Sequence, residues 1–239
     1  MKSSFYGSVI APIHNAGFTD FVRRASPEIL RLLVRSGVRT GRVLDLGCGG
    51  GQLSQALVGV GYDAWGLDVS RSMVQMARHR VPRATFVVGS VDIARLPTCQ
   101  AALAVGEVFN YLRGRAAVRR AFDNIHRALC PGGLFVFDLC VLVAPERVRS
   151  RVAARVGPNF AIISRNDENG PRASKRRTIT GFVAQERGYA RADEVHVQRL
   201  YRATKLATWL RAAGFRARIA RGYGALSLDA DHRVFIARR

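Results

Sequence analysis

An apolar run closed by an acid and four glycines, Val43-Leu44-Asp45-Leu46-Gly47-Cys48-Gly49-Gly50-Gly51, constrains this chain more than any other stretch. Apolar residues ahead of glycines read as a buried strand. Gln52 to Val58 then carries apolar side chains at helical spacing. Strand, glycine turn and helix together open an α/β fold of the nucleotide-binding kind. Glycine admits positive φ and lets a ligand reach the backbone with no Cβ in the way. The first N–H groups of the helix face that ligand. Asp45 would repel a phosphate in such a turn and suits a ligand bearing an ammonium or sulfonium group.

The remaining chain extends the same pattern. Residues 8–24 alternate loosely and predict a helix or helical turn covering the site. Ser26-Pro27-Glu28 predicts a second helix start, a cap followed by proline at the first helical position, ended by Ser36-Gly37. Strands follow at 42–46, 61–68, 84–88, 101–105 and 134–138, and helices at 52–60, 71–80 and 115–129. Strand and helix in alternation predict a parallel sheet with right-handed crossovers. Ligands bind such sheets beyond the carboxyl ends of the strands. Asp45, Asp68, Asp92, Glu107 and Asp138 all fall on that edge. Residues 157–200 then read as antiparallel strands, an insertion laid across the site. Helix returns from Thr204 to Ala213, and Phe215–Ala220 and Arg233–Ala237 are the last strands.

Composition narrows the setting. The 239 residues suit one α/β domain, and no apolar run approaches the roughly 20 residues of a membrane span. Residues 1–7 lack the apolar core of a signal peptide. Cys48, Cys99, Cys130 and Cys140 form neither a close pair nor a metal spacing, which predicts a reducing cytoplasm and no metal. The formal charge is +21 at a pI near 11.4. Its excess is mostly arginine and mostly beyond Tyr111, which would suit a nucleic-acid partner. Short runs such as Arg119-Arg120 and Arg176-Arg177 equally suit a solvated surface.

In this order the motifs resemble those of class I S-adenosylmethionine-dependent methyltransferases. The resemblance rests on Val43 to Gly51, on Leu67-Asp68, on Gly89 to Pro97 and on Gly106 to Leu112. Leu129-Cys130-Pro131-Gly132-Gly133-Leu134-Phe135 completes it, and Ala212-Ala213-Gly214-Phe215 fits the family's late helix and strand. A nicotinamide-dependent fingerprint needs a further glycine where this chain has Gln52. The resemblance implies a Rossmann-like three-layer sandwich around a mostly parallel seven-stranded sheet whose last strand is antiparallel. It forms one domain over residues 1–239, with 1–40 as N-terminal helices and lid.

The same resemblance implies roles. Asp45 and the backbone of Gly47, with Cys48 beside them, would hold the methionine end of S-adenosylmethionine, and Gly49 would leave room for it. Asp68 would accept both ribose hydroxyls, Val69 and Met73 would flank the adenine, and Ser90 and Val91 would meet its edge. The family's acid directly after the glycine is Ser90 here, with Asp92 two places on, so which of the two meets the adenine amino group stays open. Gly106 would border the methionine moiety, Tyr6 resembles a lid residue, and Asn110 and Tyr111 would lie on the acceptor side. His14, Glu107 and His196 are the candidate bases if the acceptor must lose a proton. The expected acceptor is a small molecule under the 157–200 insertion. The alternative is RNA, drawn to the basic second half. Oligomeric state is not encoded in any motif.

Overall fold

The computed structural model describes residues 6–239, apart from the side chains of residues 16–19; the part of the expected lid in residues 1–5 lies outside the described residues. The elements run α1 (Ile10–Arg35), β1 (Arg42–Leu46), α2 (Gln52–Gly59), β2 (Asp63–Asp68), α3 (Arg71–Arg80), β3 (Thr85–Val88) and β4 (Cys99–Ala104). A 3₁₀ turn (Val108–Tyr111) leads to α4 (Arg115–Ala128) and β5 (Leu129–Cys140). Then come β6 (Val148–Gly157), β7 (Phe160–Asn169), β8 (Ser174–Ala184), β9 (Tyr189–Arg199), α5 (Ala203–Ala212) and β10 (Arg216–Ala220). A two-rung hairpin of β11 (Gly222–Tyr223) and β12 (Leu226–Ser227) precedes β13 (His232–Arg238).

The main sheet has seven strands in the order β10-β13-β5-β4-β1-β2-β3. β1 to β5 are parallel, and β13 runs antiparallel to both β5 and β10. The expected architecture is therefore present. Period-two alternation splits each buried strand between two cores. Leu44, Leu46, Phe135 and Phe137 face α4 and α5, packed with Phe109, Phe122 and Phe235. Val43, Leu103, Leu134 and Val136 face α1 and α2, packed with Ile29, Leu33 and Leu57. Strands buried on both faces read as continuous apolar runs for this reason. Ser70 accepts from the Met73 N–H at 3.2 Å and caps α3 as its sequence predicts.

Two boundaries differ from expectation. No helix begins at Ser26, because α1 runs unbroken through Pro27. Ser26 donates its hydroxyl back to the Val22 carbonyl at 2.7 Å instead of capping a new helix. Val22, Ala25, Ile29 and Leu33 form one buried stripe that carries the helix across the proline. The antiparallel insertion also begins earlier, at Val148. β6 is an edge strand exposed almost throughout, so its sequence shows none of the alternation that marks a half-buried strand.

β6 to β9 form a four-stranded antiparallel sheet that roofs the carboxyl edge of the main sheet. α1 ties the two together. Ile10 and Ile13 lie so close to Gly181 of β8 that a Cβ there would fall 2.6 Å from Ile10 and 2.8 Å from Ile13.

Candidate active site

The floor of the site is the turn after β1. Gly47 and Cys48 donate their N–H groups to the Leu67 carbonyl at 2.6 and 3.0 Å, binding the turn to β2. Gly49 sits at φ +51 with nothing within 4 Å of where a Cβ would project, and it lines the cavity with that face open. Asp45 is buried and accepts the Ser54 hydroxyl at 2.6 Å. Burial outweighs the Ser54 bonds and raises its carboxyl to about 6. Asp68 accepts the Ser70 N–H on one oxygen at 2.8 Å and the Gly49 N–H on the other at 3.0 Å. Each oxygen keeps a lone pair for the cavity, and burial again raises the pKa.

Further along the edge, Ser90 donates to Asp92 at 2.6 Å, and Arg120 donates to the other Asp92 oxygen at 2.7 Å. Asp138 accepts the Gly106 N–H and the Tyr223 hydroxyl, both at 2.7 Å. All five strand-end acids line one cavity of about 1030 Å³, together with Cys48, Val69, Met73, Ser90, Val91 and Gly106.

The roof meets this floor at Glu107, a non-glycine residue held at φ +65. Its carboxylate accepts from Lys175 Nζ at 3.1 and 3.0 Å, His232 Nε2 at 2.7 Å and Gln198 Nε2 at 2.5 Å. Burial alone would raise its pKa, but the His232 bond and the charges of Lys175 and Arg177 hold it well below the usual carboxylate range. His232 is clamped between Glu107 and Asp231, the latter 2.9 Å from Nδ1. Burial would lower its pKa, yet the two carboxylates raise it to about 9. Cys140, Asp231 and His232 place ligand atoms within 4.8 Å of one another. Both His232 nitrogens lie within hydrogen-bond distance of carboxylates, Nδ1 2.9 Å from Asp231 and Nε2 2.7 Å from Glu107, and Asp231 also pairs with Arg149. The cluster is an ion-pair network.

The sequence candidates divide. Tyr6, His14, Glu107 and Tyr111 line the cavity; Asn110 and His196 do not. Asn110 is fully buried, with its amide bonded to Cys140 N and O and to Arg199 O. It joins β5 to β9 and presents nothing to an acceptor. His196 is 1% exposed, with Nε2 2.7 Å from Glu194. Glu194 also accepts the backbone N–H groups of Tyr6 and Gly7. His196 thus stands behind Tyr6 and Tyr111, whose hydroxyls are 3.1 Å apart. The His14 ring packs 4.2 Å from Tyr6, and burial, then Arg177 and His196, lower its pKa to about 4. Glu107 is occupied by donors, which makes it an anchor and a poor base. Sequence reasoning missed Arg149, Lys175, Arg177, Asp231 and His232; the one available signal was a rare lysine at an inward position of an alternating strand.

A strand-end acid edge, a ligand-open glycine turn and this strand order define the class I methyltransferase fold. Residues 43–133 match the family described as methyltransferase domain. The chain is 26% identical over 182 residues to a putative methyltransferase, YqeM, of Bacillus subtilis, covering 74% of each. It shares its fold with an S-adenosylmethionine-dependent methyltransferase of Clostridium acetobutylicum (TM-score 0.82, 16% identity, 95% and 98% of the two chains). It also matches CalS10, an amino pentose methyltransferase of Micromonospora echinaspora solved with S-adenosylmethionine (TM-score 0.77, 19% identity, all of both chains). Residues 43–133 thus carry a methyltransferase domain, and the chain as a whole has the fold of these methyltransferases.

Proposed function

We propose that the chain transfers the methyl group of S-adenosylmethionine to a small acceptor held beneath β6 to β9. One observation carries this reading: the strand-end acids and the open face of Gly49 converge on a single cavity that extends under the roof. The residues fit the donor. Asp68 keeps one lone pair per oxygen for paired ribose hydroxyls. Val69 and Met73 offer an apolar wall for the adenine, with Ser90 and Val91 at its edge and Asp92 engaged by Ser90 and Arg120. Asp45, Gly47, Cys48 and Gly106 border the methionine end, and Tyr6 closes over it from α1's side.

When bound, the donor supplies a methyl group activated by its sulfonium charge. The chain contributes alignment and exclusion of water, worth about 7–11 kcal/mol in well-oriented systems. Glu107 holds roof to floor, and His196 positions Tyr6 and Tyr111. Of the two base candidates that line the cavity, His14 is neutral near pH 7, whereas Glu107 is engaged by Lys175, His232 and Gln198. A small acceptor is supported by the buried inward side chains of the roof and by the likeness to CalS10, an amino pentose methyltransferase. RNA is disfavoured because the roof covers the site with buried side chains such as Lys175. The four free thiols, three of them buried, fit a reducing cytoplasm, and no helix among the described residues is long and apolar enough to cross a membrane.

Calorimetry with S-adenosylmethionine tests the reading, followed by a screen of small acceptors scored by donor-methyl release. Asp68→Ala should weaken donor binding by at least about 1 kcal/mol, the scale of a hydrogen bond to a charged group. An intact chain that does not bind the donor would sink the proposal.

A further inference from the structure

The roof presents its inward side chains in cross-strand rows, and two neighbouring rows differ in kind. In the first, Arg149, Glu168, Lys175 and Gln198 are register partners across β6, β7, β8 and β9. This row is satisfied within the protein. Arg149 donates to Glu168 at 2.6 Å and also pairs with Asp231, while Lys175 and Gln198 bind Glu107.

The next row toward the hairpin ends is Arg151, Asn166, Arg177 and His196. Its first three members line the cavity, and the row contains no acid. Among the described residues, Arg151 makes no salt bridge, and the one carboxylate near Arg177 is Glu107 at 3.7 Å. That distance is beyond a hydrogen bond, and Glu107 already takes closer donors from Lys175, His232 and Gln198. Arg177 Nε is fixed by the Asn166 carbonyl oxygen at 2.9 Å, which aims the guanidinium and leaves the Asn166 amide N–H groups to donate. Arg177 is largely buried. A charge so placed is costly unless it is paired.

Building on the methyltransferase reading, we infer that the Arg151–Asn166–Arg177 row is an anion clamp and that the acceptor carries an acidic group, a phosphate or a carboxylate, bound there. Guanidinium groups match the planar, paired oxygens of both. An acid on the acceptor supplies the counter-charge the row lacks and fixes the acceptor by its charged end, leaving its nucleophile free to turn toward the donor floor.

The experiment measures binding rather than turnover. The intact protein is titrated with inorganic pyrophosphate and with citrate, each against chloride at equal ionic strength, with and without S-adenosylhomocysteine. At least one of the two anions should bind where chloride does not; a preference for pyrophosphate assigns a phosphate and a preference for citrate a carboxylate. Arg177→Gln should weaken that binding about tenfold or more, the scale of a lost charged hydrogen bond. Arg151→Ser, at an exposed edge position that the fold does not need, should also weaken it and carries the test should Arg177→Gln fail to fold. Arg176→Ser removes the same charge from the outward face of β8 and should leave binding unchanged. Neither anion binding better than chloride, or Arg176→Ser weakening binding as much as Arg177→Gln, overturns the clamp. The titrations without nucleoside separate that result from a failure of the donor to bind, which would count against the methyltransferase reading alone.

Discussion

Replacing Glu107 by glutamine distinguishes an anchor from a base. One carboxylate oxygen accepts from His232 at 2.7 Å and Lys175 at 3.1 Å, the other from Gln198 at 2.5 Å and Lys175 at 3.0 Å. Glutamine keeps one accepting oxygen and turns the other position into a donor facing donors. Two hydrogen bonds are lost, about 1.5–3 kcal/mol each where the donor is charged. Lys175, only 9% exposed, then holds its charge without a full counter-ion. Both routes give about 3–5 kcal/mol, the range for breaking a buried pair and a large part of a domain's total stability. Urea unfolding followed through Trp65 and Trp209 measures it. Adding Lys175→Met should recover part of the loss, because the stranded charge leaves with its partner. A loss below about 1 kcal/mol together with abolished turnover would refute the anchoring role and reinstate Glu107 as a base.

Three further outcomes follow from the same geometry. Gly49→Ala should cost the fold about 1–2 kcal/mol for its left-handed backbone yet abolish donor binding in calorimetry, since the added methyl projects into open cavity; unchanged affinity would move the donor elsewhere. Asn110→Ala should destabilise by about 3 kcal/mol in denaturant titrations, through the buried main-chain groups it leaves unpaired, with donor affinity in the folded variant unchanged. Asp45 has its folded pKa raised from 3.8 to about 6, so folding favours its protonated form and the stability it contributes is lost as pH rises across that window. A cationic donor favours the ionised form. Its affinity should therefore climb as pH rises through about 6 and level off above, and Asp45→Asn should flatten the profile; a flat profile in the unmodified protein would remove Asp45 from the donor site.

The floor of this site was legible because its signals are local. The run from Val43 to Gly51, the Ser70 cap and the acids at strand ends each sit within a few residues of the structure they specify. The roof was not, because its chemistry is assembled across strands. Lys175 and Arg177 belong to β8, His232 opens the last strand, and their common partner Glu107 follows β4; no window of sequence contains them together. His196 and Asn110 attracted attention as polar groups near the right motifs, but burial and complete bonding turn both into supports. The proline at 27 misled for a related reason: a buried stripe along α1 outweighs a start signal that is strong only locally.

The alternation of the roof has a consequence for how such a protein can diversify. Arg149 and Arg151 of β6, Asn166 and Glu168 of β7, and Lys175 and Arg177 of β8 line the cavity at alternate positions, and the backbone ladder that holds the strands is indifferent to which side chains stand there. Exchanging Arg151 or Arg177 rewrites what the chamber recognises without touching the packed cores on which the donor floor rests. Selectivity for the acceptor and competence with the donor are thus inherited on separable parts of one chain, and the first can drift while the second stays fixed.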